Sequence, residues 1–244
     1  MLKQSDDLTE FDWIQSNLDK LLPPKSENWK GNFVSHCLPA RFDSYCKIFP
    51  PIFVDLDYVN KPSITWNDLK DKKDERTKKI TERVFVDGEI SNSGFRLETI
   101  KWETLAKEQG SKFHAGISDN SFFRASGGLW PRYLIGPNEG SLDKKTCKNI
   151  VSALTAFTGS QLCFFEYYVM ATKKMETELL FTGYLDDVQE SFSLEPVRES
   201  LSPNYWWPQD HSWCLCTDYD LCITLLGGTK EIIDLSLPRF NRHD

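Results

Sequence analysis

The stretch from Asn204 to Gly228, NYWWPQDHSWCLCTDYDLCITLLGG, is the densest collection of reactive side chains in the chain. His211, Cys214, Cys216 and Cys222 carry the nitrogen and sulfur donors of a tetrahedral zinc centre, spaced HxxCxCxxxxxC. Strand geometry weighs against them as a set. Alternate residues of a strand share a face, so Cys214 and Cys216 project together while Trp213 and Leu215 project the other way. Two thiols at that spacing are more cheaply read as small core fillers, and no metal is expected. His36, Cys37 and Cys46 give a second, looser set.

Carboxylates offer another chemistry. Asp218 and Asp220, two apart in TDYD, could hold a divalent cation or share a proton, yet residues of these types between two apolar runs also favour a turn. If Glu139, Asp210, His211, Asp218 and Asp220 converged, they would furnish a metal-assisted hydrolase. Glu166, inside FFEYY, is flanked by aromatics that could desolvate it; a strand with a solvent-facing polar side is the expectation. No GxSxG, GxGxxG or GxxxxGK[ST] occurs, and His36, His114, His211 and His243 are scattered. LLGGTKE sets two glycines before a helix start, where backbone N–H groups could meet an anion, but a tight strand-to-helix turn accounts for them. No cofactor is expected.

The elements that must position these groups can be read from periodicity. Leu8, Phe11, Ile14, Leu18 and Leu21 trace one face of a first helix that Pro23 and Pro24 stop. Phe33 to Cys37 reads as a strand and Arg41 to Ile48 as irregular or briefly helical. Lys70, Lys72, Lys73, Arg76, Lys78 and Lys79 outnumber the acids among them and read as a solvated face. A second helix runs through TIKWETLAKEQG, with Thr99 as cap and Gly110 as stop. The clearest helix is SLDKKTCKNIVSALTAFTG, capped by Ser141, striped by Cys147, Ile150, Val151, Leu154 and Phe157, and ended by Gly159. QLCFFEYYVMAT and ELLFTGYL pair as strands across TKKMET, SWCLCTDYD and DLCITLLGG follow as two strands or one long bent one, and TKEIIDLSL closes as a helix that Thr229 could cap. The unequal clusters give an α+β fold with a largely antiparallel sheet flanked by helices. Residues 1–244 form one domain, with the N-terminal helix and proline-rich segment (about 1–60) loosely attached.

Composition narrows the partners. A formal charge of −7 disfavours nucleic acid and admits a basic protein. No apolar run is long enough to span a bilayer, and MLKQSDDLTEFDW lacks the features of a signal peptide, so a cytoplasmic protein with no membrane association is expected. Seven cysteines without a CxxC pair fit reduced, buried thiols.

The order of RFDSYCKIFPPI, IKWETLAKEQGSKFH, YLIGPNEGSL and the Asn204–Ile233 stretch resembles a family of uncharacterised bacterial proteins with a GPxEG turn before a helix and a late WWPxDxxWC stretch, a T[DE]xD strand and a glycine pair. Gly136, Pro137, Glu139 and Gly140 carry the first motif. Trp206, Trp207, Pro208, Asp210, Trp213, Cys214, Thr217, Asp218, Asp220, Gly227 and Gly228 carry the second. The resemblance implies a bacterial cytoplasmic protein and assigns no activity. The leading expectation is a non-enzymatic binding protein, an immunity protein that neutralises a basic toxin domain by covering its active site. Trp206, Trp207, Asp210 and His211 are its candidate partner-binding residues. The hydrolase above, or a scaffold or regulatory interaction module, are the alternatives.

Overall fold

Runs of aromatic and β-branched residues that are apolar at nearly every position, rather than alternating, belong to strands buried on both faces. CFFEY, YWWP, WCLC and TLLGG are such runs, and each is buried throughout in the computed structural model of the chain. The structure describes residues 1–18, 34–69, 75–88, 94–114, 116–117, 122, 129–198 and 200–240. Its strands are β1 (Lys3–Ser5), β2 (Ser44–Ile48), β3 (Ile52–Asp55), β4 (Leu97–Ile100), β5 (Leu134–Ile135), β6 (Cys163–Tyr167), β7 (Leu179–Gly183), β8 (Tyr205–Pro208), β9 (Trp213–Cys216) and β10 (Thr224–Gly228). Its helices are α1 (Asp12–Gln15), α2 (Glu75–Asp87), α3 (Trp102–Glu108), α4 (Lys144–Thr158) and α5 (Lys230–Phe240).

The fold is α+β. One antiparallel sheet of seven strands runs β1-β7-β6-β8-β9-β10-β2, and a second of three strands runs β4-β3-β5. Among the described residues of the first sixty, β1 and β2 belong to the large sheet and β3 to the small one. One face of the large sheet, with Phe165, Trp206, Trp213 and Leu215, packs on α4, α5 and the 3-10 helix Leu185–Ser193. The other, with Phe164, Trp207, Cys214 and Cys216, packs on Phe11 and Ile14 near α1 and on Trp102 and Leu105 of α3.

Several local expectations change. The first helix is one 3-10 turn and one α turn ending at Gln15; Leu21, Pro23 and Pro24 lie outside the described residues. Val34–His36 is a 3-10 turn rather than a strand, Phe33 lying outside the described residues, and Ser44–Ile48 is a strand rather than irregular. Thr99 is in β4, so Lys101 stands at the N-cap of α3. Asp143, not Ser141, caps α4: its Oδ1 accepts from the Thr146 amide at 2.8 Å. Ser141 Oγ instead donates to Ser202 Oγ at 3.4 Å and accepts from the Ser202 amide at 2.9 Å. Thr229 does serve α5, its Oγ1 accepting from the Ile232 amide at 3.3 Å.

The basic cluster also divides. Lys70, Lys72 and Lys73 lie outside the described residues, and Lys79 is exposed. Arg76 instead turns inward from α2 to Asp55 at 2.8 Å. Asp55 is fully buried and also meets the fully buried Arg132 at 3.0 Å. The Arg132 guanidinium lies over the rings of Tyr58 and Trp66, 4.3 and 4.6 Å from their centres, so the buried cation has a carboxylate and two π faces.

Candidate functional site

Consecutive antiparallel strands put successive loops at opposite ends of a sheet. The β8–β9 loop carries Asp210 and His211, and the β9–β10 loop carries Asp218, Tyr219 and Asp220. The intervening strand has four residues, roughly 13 Å of chain. The five residues of the hydrolase set are therefore not gathered: Glu139 is near Asp218 and Asp220, while Asp210 and His211 are at the far end.

At that far end the two side chains build the loop. Asp210 accepts from the Ser212 amide at 2.9 Å and from Gln161 Nε2 at 3.0 Å. Burial pushes its carboxyl upward, but these hydrogen bonds and the nearby His211 outweigh that and hold it below the usual carboxylate range. His211 has a positive φ of 55° and stacks on Trp13 with ring centres 4.2 Å apart. Partial burial, and then the charge of Arg41, lower its pKa.

The other candidates are corrected by burial. Trp206 and Trp207 are 0% exposed and point to opposite faces of β8, Trp206 against Phe165 and Trp207 stacked on Phe164 at 5.4 Å, so neither can anchor a partner at the surface. Cys214 and Cys216 share a face as expected and are fully enclosed, and burial drives both thiols well above their ordinary range, away from the thiolate that binds metal. Cys222 lies in the β9–β10 loop, at the opposite end from His211. Among the described residues no group of three or more His, Cys, Asp or Glu is placed to hold a metal ion.

Glu166 overturns the solvent-face expectation. It is 1% exposed, opposite Leu180 and Tyr205 in the sheet, and neither carboxyl oxygen has a hydrogen-bond partner. Burial, reinforced by Glu178, raises its pKa well above the ordinary value.

A concave surface forms at the Asp218 end. The GPNEG turn docks on the β9–β10 loop: the Gly140 amide donates to the Leu221 carbonyl at 3.0 Å. A Cβ on Gly140, whose φ is +70°, would lie 3.0 Å from the Tyr219 backbone, so this contact requires glycine. The two motifs of the family resemblance thus touch. Between them opens a cleft of about 250 Å³, which Glu139, Met170, Arg198, Leu201, Asn204 and Tyr219 help to line. Asn204 is its rigid floor. The buried amide donates to the Thr217 carbonyl at 3.0 Å and accepts from the Tyr168 amide at 2.9 Å, tying β6, β8 and β9 together. Asp218 beside the cleft has its pKa raised by burial and then by Asp220.

Met170, Arg198, Asn204 and Tyr219 were not singled out by sequence. Only their positions beside motifs, Asn204 opening NYWWP and Tyr219 inside TDYD, hinted at them. Comparisons with protein-family models, with curated proteins and with solved structures return no match to the chain.

Proposed function

We propose that this chain is a non-enzymatic binding protein whose recognition surface is the rim of the cleft at the Asp218 end of the sheet. Its partner in this reading is a basic protein, as an immunity protein would meet a toxin domain. One observation carries the reading: Met170 and Tyr219 are each 42% exposed on the rim of a rigid concavity, beside the carboxylates of Glu139, Asp218 and Asp220. Tyr and Met are enriched where proteins meet, and surrounding acids steer a basic surface toward such anchors. The anchor role proposed for the buried tryptophans passes to these two residues. A hydrolase reading is less favoured, because Glu139, Asp218 and Asp220 belong to the opposite end of the strands from Asp210 and His211.

The test is a photo-reactive phenylalanine analogue placed at position 219 or at position 162 in the native host. Leu162 is comparably exposed, at 41%, but lies at the Asp210 end, where its carbonyl accepts from the Gln209 amide. The reading expects one basic protein cross-linked through position 219 and not through 162, with the adduct reduced when Asp218 and Asp220 are changed to Asn. Equal labelling from both positions, or none from 219, would overturn it.

A further inference from the structure

The same cleft contains two opposite charges. Arg198 and Glu139 both line it, and among the described residues neither side chain has a hydrogen-bond or ion-pair partner, with each other or with any third group. This is unlike Arg76 and Arg132, which are held by Asp55. Arg198 is fixed at its backbone, its amide donating to the Ala171 carbonyl at 2.9 Å, so the start of the side chain is anchored while its guanidinium is uncommitted among the described residues. Asn204 spends one N–H and one lone pair on the sheet and retains one of each. Ala171 and Leu201 supply apolar wall, and Tyr219 stands at the lip.

The volume is about 250 Å³, below the roughly 300 Å³ where pockets for drug-sized ligands begin. A ligand that satisfies a guanidinium and a carboxylate at once, in so small a space and against apolar wall, carries a carboxylate, an ammonium and a short apolar side chain. We propose that the cleft binds a free α-amino acid with an apolar side chain, its carboxylate paired bidentately with Arg198 and its ammonium with Glu139. Arg suits the carboxylate because its planar fork matches the two oxygens. The proposal goes beyond the protein-partner reading and is tested on the isolated chain, so the two can fail separately.

The experiment is calorimetric titration of the purified protein with L-valine, L-leucine and L-methionine, and with N-acetyl-L-leucine and L-leucinamide, which each lack one of the two charges. At least one free amino acid should bind, and the two blocked forms of leucine should bind more weakly, each by about tenfold or more, the worth of one charge-assisted contact. Arg198→Gln should erase the preference for leucine over leucinamide, and Glu139→Gln the preference over N-acetyl-leucine. Circular dichroism of both variants checks that they fold, which the solvent access and lack of partners of these side chains favour. If N-acetyl-leucine binds as well as leucine, the site takes a peptide C-terminus and the zwitterion proposal falls. It falls equally if no free amino acid binds at millimolar concentration, or if either variant leaves both preferences intact.

Discussion

Glu166 makes the most demanding prediction, because its burial is complete and its carboxyl is unsatisfied. An unpaired polar group buried in this way costs about 1–3 kcal/mol. Leucine has similar length and would meet Leu180 and Tyr205, its neighbours across the sheet, without that cost. Glu166→Leu should therefore stabilise the chain by about 2 kcal/mol in acid, and by more at neutral pH. The pH dependence follows from the direction of the shift. The folded-state pKa lies above the unfolded one, so between the two values the folded chain keeps a proton that the unfolded chain has released. The associated stability is present below the ordinary carboxyl range and is lost as pH rises through this window, by ~1.4 kcal/mol per pH unit. Glu166→Gln isolates the effect, since it removes the titration but leaves a buried polar group.

The assay is urea unfolding from about pH 4 to pH 8, followed by the fluorescence of the eight tryptophans and read as the midpoint with its slope. Other carboxylates titrate alike in wild type and variant, so the difference between the two curves reports on Glu166. Gln and wild type should coincide in acid and then diverge as pH rises, with wild type falling. At neutral pH each kcal/mol should appear as roughly 2–4 °C in Tm. Parallel curves across the whole range would refute the reasoning, and would mean that the carboxyl ionises in the fold with a compensating partner.

Three further substitutions test the framework around the cleft and beneath it. Gly140→Ala places a Cβ 3.0 Å from the Tyr219 backbone at a φ of +70°, so thermal unfolding should show a loss of about 1–3 kcal/mol, with weaker cross-linking from position 219. Asp143→Ala removes the cap of α4 and should cost about 1 kcal/mol by urea unfolding, whereas Asp143→Asn, which keeps an acceptor for the Thr146 amide, should stay within about 0.5 kcal/mol of wild type. Asp55→Ala removes the buried carboxylate that faces Arg132 and should cost about 3–5 kcal/mol, while joint replacement of Asp55 and Arg132 by apolar residues should recover part of that loss.

The sequence was most informative where one local pattern decided the structure. The stripe Cys147, Ile150, Val151 and Leu154 is the buried face of α4, and the apolar runs from Cys163 onward are strands of one sheet. It was less informative where two local signals competed and a distant residue chose between them. Ser141 and Asp143 are both good caps, and Ser202, far along the chain, takes Ser141. SYCKI hides its strand character behind Lys47, whose burial lowers its pKa and whose Nζ donates to the Ile117 carbonyl at 3.4 Å. FFEYY could not reveal that Glu166 is enclosed, because the second layer comes partly from Phe11 and Ile14, near the start of the chain.

The site follows the same logic, and its geometry explains why composition points elsewhere. Tryptophans, cysteines and a histidine concentrated in one stretch look like chemistry, yet Trp206, Trp207, Trp213, Cys214 and Cys216 fill strands whose two faces are both covered, so their density reports burial. The groups left for a ligand lie where the sheet ends. They are drawn from positions 138 to 219, from a turn, a 3-10 turn and two loops, with no periodicity to join them. What brings them together is backbone: Gly140 docked on Leu221, and Asn204 bonded to Thr217 and Tyr168. A rigid floor made by such bonds can hold Arg198 and Glu139 apart without letting them pair, and that separation is the property a binding cleft for a zwitterion needs.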